Sequence, residues 1–246
     1  MKTYLSYLLI SLAVPWSQSP VHSQTKDQSK ADEAQQTLVD DKLMRTLSFG
    51  RKGHCDLKAV QTLLQQGASP NARNSDGNTL TALMVASENG CTEIVKQLLT
   101  AGAEVNAKAE HVSSVYANVL QGITALSSAA ASENATVVRI LLEHRADVHA
   151  RTDNGATVML YASSNEIAQI FLDHGLDINA HDKHGYTLLI WSAEWEGVHR
   201  PSVQYLLEHG ADPNAKTDDG TTALKLAQAI GHPDDVELLR KAGAKQ

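Results

Sequence analysis

The stretch from Leu206 to Leu224, LLEHGADPNAKTDDGTTAL, constrains the fold most, because degraded copies of it recur along the chain. Leu206, Leu207 and Glu208 close one helix. Gly210 stands where a helix stops on a left-handed residue, a conformation that glycine adopts without a Cβ clash. Pro213 fixes one φ angle in a short extended piece, and Asp219-Gly220 supplies a tight turn. Thr222 then caps the next helix, whose first buried residues are Leu224 and Ala227. The stop position is occupied by Gly67, Gly102, Arg145, Gly175, Gly210 and Gly243 at intervals of 30 to 43 residues.

A turn and two helices repeating about every 33 residues define a stacked array, in which each unit buries its apolar face against its neighbours. Five helix starts keep the same phase: Thr81-Ala82-Leu83, Thr124-Ala125-Leu126, Thr157-Val158-Met159, Thr187-Leu188-Leu189 and Thr222-Ala223-Leu224. On these residues the chain resembles the ankyrin-repeat family from about 40 to 244. It departs from that family's Thr-Pro-Leu-His pattern, with Met84, Ser127, Leu160, Ile190 and Lys225 at the histidine place. The resemblance implies an all-α solenoid of about six helix-turn-helix repeats with β-hairpin-like fingers. The units fall at 40–74, 75–108, 109–152, 153–181, 182–217 and 218–246. It also implies a monomeric scaffold that recognises a protein partner through its fingers and concave groove. The expected role is to protect, stabilise or inhibit that partner. The alternative is a secreted effector that binds host proteins.

The N-terminus reads as a processing signal. Lys2 is the only charge before Lys26, and the apolar run from Tyr4 to Trp16 is too short to span a bilayer. Small residues at Val21 and Ser23 place cleavage after Ser23, so residues 1–23 are read as a signal peptide and the protein as periplasmic or secreted. Residues 24–39 read as a polar linker that turns helical near Ala31. The net charge is −7 and becomes −8 once Lys2 is removed, which argues against nucleic acids and anionic membranes as partners.

Irregular copies are the better places to look for function. Ala109 to Gln121 is inserted into the third finger, and its Val112, Tyr116 and Val119 make it more apolar than a solvated loop. Insertions of this kind map to one face of an array, which is often the binding face. The fourth copy keeps only Ser163 to Glu166 between its helices, so one helix loses most of a turn and a shallow notch is expected beside it. The fifth copy is long between Glu194 and Pro201. The resemblance places Tyr186, His184, Glu194 and Trp195 along the groove as the main contact patch, with Trp191 assigned to the core.

Chemistry beyond binding finds little support. No phosphate loop, zinc-protease helix or nucleophile elbow occurs, so no catalytic residue and no cofactor is assigned. His144, His174 and His209 precede successive helix stops and suit the negative end of the helix dipole. His181, Asp182 and His184 cluster at one finger tip without a fourth ligand, so no metal site is assigned. Cys55 and Cys91 lie at the inter-helix turns of adjacent copies. Stacked helices hold such points about 10 Å apart, whereas a disulfide needs under about 7 Å. The one-residue offset between the two cysteines narrows that gap, which leaves a disulfide and two free thiols both open.

Overall fold

The computed structural model describes residues 21–48, 55–74, 79–110, 122–194 and 200–245. The chain divides into two units, residues 1–35 and 36–246, and the repeat array lies in the second. Among the described residues of the chain the elements are all helical: α1 (Val21–Ser48), α2 (Leu57–Gln65), α3 (Ala82–Glu88), α4 (Thr92–Thr100), α5 (Ala125–Ala131) and α6 (Ala135–Glu143). A single 3-10 turn (Val158–Tyr161) follows, then α7 (Asn165–Asp173), α8 (Leu188–Glu194), α9 (Val203–Glu208), α10 (Ala223–Ile230) and α11 (Pro233–Lys241). The fold is therefore an all-α repeat solenoid.

One expectation is corrected at the start. Residues 24–39 are part of the continuous helix α1, which starts earlier than the helical turn expected near Ala31. The stretch is rich in Gln, Lys, Glu, Asp and Ala, and no glycine or proline interrupts it between Val21 and Ser48. The signal-peptide assignment falls mainly on residues outside the described set. Among the described residues, no helix is long and apolar enough to cross a membrane.

Inner helices begin where the finger ends because a threonine caps them. The hydroxyls of Thr81, Thr124 and Thr222 accept from Met84 N, Ser127 N and Lys225 N. Thr81 and Thr222 also close their fingers, through single antiparallel bridges with Arg73 and Lys216. Inner helices then stack through small buried residues, among them Ala86, Ala129, Ala130 and Ala193. The absence of larger side chains there lets neighbouring helices approach closely. Outer helices contribute Val60, Ile94, Val137, Ile167 and Val203 to the same continuous core.

A ladder of asparagines joins the repeats along the ends of the outer helices. Asn71 donates to Gly102 O and accepts from Glu104 N. Asn106 does the same with Arg145 O and Asp147 N, Asn179 with Gly210 O and Asp212 N, and Asn214 with Gly243 O and Lys245 N. In the first repeat the task is divided between Gln36, which donates to Gly67 O, and Asp40, which accepts from Ser69 N. Each rung satisfies the carbonyl of one helix stop, an otherwise orphaned group.

Arg145 holds the third stop with a φ of 66°, where the other copies use glycine. A left-handed L-residue costs roughly 1–2 kcal/mol, against roughly 0.5–1 kcal/mol for the extra freedom of glycine in the unfolded chain. Arg145→Gly is therefore expected to raise the stability by about 0.5–1 kcal/mol, read as a higher urea midpoint at unchanged slope.

Candidate functional site

Aligning the inner helices on their capping threonines places Val85, Ser128, Tyr161, Trp191 and Leu226 at one position. Val85 and Ser128 are buried, whereas Tyr161, Trp191 and Leu226 are partly exposed. The array thus presents two large aromatics side by side in repeats four and five only. Tyr186, on the finger leading into α8, packs on Trp191 with ring centroids 5.3 Å apart. The Arg200 guanidinium lies 5.4 Å from the centre of the Trp191 ring, within range of a cation–π interaction. Tyr161, Tyr186, Trp191 and Arg200 form a compact patch where finger and inner helix meet.

Arg200 gets there because of the fourth repeat's missing turn. Only Val158–Tyr161 remains of the inner helix, as a 3-10 turn, so its last carbonyls lack helical partners. Arg200, at the end of the long fifth inter-helix segment, reaches back and donates from Nη1 to Leu160 O at 2.9 Å. Burial draws the pKa of this guanidinium down, and Glu194 opposes that shift. Beside the shortened turn, the expected notch is a cleft of about 690 Å³. Its walls are Ser163 to Glu166, Arg200 to Val203 and His232 to Asp235.

Tyr161 is the most shifted titratable group of the patch. Burial pushes its phenol up to about 12; the Asp182 carboxylate adds to the rise, while Thr152 and Arg200 moderate it. The raised value means that the neutral phenol is favoured by folding. Its stabilising contribution is complete below pH 10, the ordinary value, and is lost as pH climbs through about 12. Absorbance titration of the tyrosines is expected to show one late step near pH 12 that Tyr161→Phe removes.

The residues assigned from sequence separate into two groups. Glu194 is near enough to Tyr186 to help raise its phenol and to Arg200 to oppose the fall of its guanidinium, in each case behind the larger effect of burial. His184 is exposed at the finger tip, 3.8 Å from Asp218. Trp195, Val112, Tyr116 and Val119 lie outside the described residues. The Trp191 assignment is corrected: this ring is partly exposed beside Tyr186 rather than in the core. Arg200 and Tyr161 were missed. The signal for Tyr161 and Trp191 was the threonine-based alignment, whereas nothing in the sequence marks Arg200.

The insert is also redrawn. Ala109 is buried and pairs with the far side of the finger, donating to Ile123 O and accepting from Gly122 N. Glu110 N donates to Thr79 Oγ1, and the Glu110 carboxylate lies 3.6 Å from Arg73. These two residues belong to the scaffold.

The remaining polar clusters are structural. His144, His174 and His209 each place Nδ1 at 2.7–2.8 Å from the carbonyl four residues back in the preceding helix. The Asp182 carboxylate accepts from His184 N, Tyr186 N and Asn154 Nδ2, so it is committed to the finger turn. Among the described residues, no three metal-ligating side chains gather. Cys55 and Cys91 are joined as a disulfide with their Cα atoms 5.4 Å apart, tying the first repeat to the second.

Comparison with known proteins adds to this picture. The family model for ankyrin repeats in three copies matches residues 43–152, 109–182, 126–217 and 158–246. A probable E3 ubiquitin-protein ligase of Oryza sativa subsp. japonica is 30% identical over 204 residues, covering 81% of this chain and 38% of the rice protein. An ankyrin repeat and KH domain-containing protein of Caenorhabditis briggsae is 28% identical over 254 residues, covering 90% of this chain and 9% of the worm protein. The chain spans well under half the length of either relative.

Proposed function

The chain belongs to the ankyrin-repeat family, a family of protein–protein interaction modules, and from that membership we propose that it binds one protein partner through repeats four and five. The observation that carries the reading is Trp191, partly exposed and flanked by Tyr186 and Arg200. Tryptophan, tyrosine and arginine are the side chains most enriched at the energetic centres of interfaces. Elsewhere on the same helical position the array carries Val85, Ser128 and Leu226, so the aromatic patch is local. The partner is a folded protein outside the cytosol, which the scaffold protects, stabilises or inhibits by covering part of its surface. The Cys55–Cys91 disulfide and the apolar N-terminal run support export, since disulfides persist in oxidising compartments.

The test is chemical cross-linking in the exported fraction, with wild type and Trp191→Ala compared side by side. A stoichiometric partner is expected whose affinity falls roughly 10- to 30-fold in the variant. A partner captured equally by both proteins would move the interface elsewhere and overturn the assignment. Sequencing the N-terminus of exported protein is expected to read from Gln24. Recovery of intact residues 1–23 on a host-delivered form would favour the effector reading instead.

A further inference from the structure

We propose that the cleft beside the fourth repeat binds a single carboxylate through Arg200 and Ser192, and that an aspartate or glutamate side chain of the protein partner supplies it. The assignment to the partner rests on repeats four and five being the interface; the carboxylate site stands on the cleft alone.

Ser192 breaks a pattern. Counted from the capping threonines, its place is held by Ala86, Ala129, Ala162 and Ala227 in the other copies. All four alanines are completely buried. Ser192 is 4% exposed, and its hydroxyl has no hydrogen-bond partner. A buried hydroxyl without a partner destabilises a fold, and alanine serves the same helix without that penalty. The scaffold therefore gains nothing from the serine. Ser192 is also part of the wall of the cleft, so an acceptor that enters the cleft can satisfy it.

Arg200 lines the same cleft. Among the described residues its guanidinium makes one hydrogen bond, from Nη1 to Leu160 O, and no direct ion pair. The remaining N–H donors of its fork have no acceptor there. Glu194 opposes the fall in its pKa without overcoming burial. A carboxylate suits such a group best, because its two oxygens match the planar fork. The guanidinium is held over the Trp191 ring, 5.4 Å from its centre, and the Trp191 Nε1 is a further buried donor without a partner. Three neighbouring side chains thus hold donors that lack acceptors.

The charges around the cleft narrow the ligand. Glu166, Asp234 and Asp235 also line it. Glu166 is paired with Arg139 at 3.0 Å, and the two aspartates sit in the first turn of α11, at the positive end of its dipole. These carboxylates repel a doubly charged phosphate more strongly than a singly charged carboxylate. The partner is the source because Arg200 also flanks Trp191, the centre of the proposed interface. A protein surface that covers the ring removes water from the guanidinium, and a desolvated charge needs a counter-charge.

The probe is glutamate blocked at both ends, N-acetyl-glutamate N-methylamide, titrated into nitrogen-15-labelled protein. The blocked glutamine is the neutral control. The Trp191 indole N–H resonance is expected to shift saturably with blocked glutamate, with a dissociation constant on the order of 1 mM, and not with blocked glutamine. Ser192→Ala is expected to weaken this binding about fivefold while the urea midpoint stays or rises, since the position returns to the alanine of the other copies. Arg200→Lys keeps the charge but loses the fork, and is expected to weaken it at least as much. No saturable shift with blocked glutamate, an equal shift with blocked glutamine, or unchanged binding by Ser192→Ala would overturn the site.

Cross-linking to the partner decides the source. Ser192→Ala is expected to lower the partner's affinity about fivefold as well. A partner weakened by Trp191→Ala but not by Ser192→Ala would overturn the assignment to the partner and leave a site for a free carboxylate. A partner held equally by both variants would overturn the interface in repeats four and five, while the blocked-glutamate titration still judges the cleft.

Discussion

Reduction of the Cys55–Cys91 disulfide is expected to lower the stability of the first repeat by about 3–4 kcal/mol. The cross-link spans a sequence separation of 36, and its main effect in the chain-entropy description is to restrict the unfolded ensemble over that loop. In an array, the loss is local, because a terminal repeat is held by one neighbour only. Urea unfolding with and without reductant measures it: the reduced protein should show an early transition belonging to α1 and α2, with the later transition unmoved. Coincident curves would mean that packing of Leu43, Leu47 and Val60 alone holds the first repeat. A thiol assay on denatured, unreduced protein should find no free thiol, since both cysteines of the chain are in the bond.

Phe171→Ala is the second large effect, at about 3–5 kcal/mol. Phe171 is completely buried in α7 and heads the fully buried side chains by size. The fourth repeat has little with which to refill the space, because its inner element is a 3-10 turn and Arg200 already fills the space beside it. Removing the ring therefore leaves most of a cavity, which places the cost toward the upper end of the range. The unfolding of repeats four to six should shift while that of α3 to α6 stays, as followed by hydrogen exchange of the two segments. A loss below about 1 kcal/mol would show that the site collapses freely, contrary to the packing described.

What the sequence made legible was whatever is written locally and repeated. Gly67, Gly102 and Gly210 mark helix stops because only a left-handed residue fits there, and Thr81, Thr124 and Thr222 mark helix starts because a hydroxyl must cap the first turn. The shortened fourth copy announced the loss of a turn and a notch. It did not show that the inner helix would give way, because that depends on which of two short helices has the better packing. Arg200 was illegible for a related reason: its role exists only through a carbonyl some forty residues away that is left bare by someone else's missing turn. Trp191 was misassigned because size and aromaticity do not separate a core ring from a groove ring. The helix before residue 40 was expected to start only near Ala31 because the polar stretch ahead of it has no apolar face, although the residues concerned are good helix formers.

The closed stem of the third finger has a consequence of its own. Ala109 and Ile123 meet by a backbone hydrogen bond of 3.0 Å, so the two sides of the finger are joined at this point. Loop-closure entropy grows only slowly with length once the ends are fixed. With Glu110 and Gly122 also held by the frame, the length and composition of the sequence 111–121 are expected to be exchangeable by design without shifting the phase of the repeats on either side.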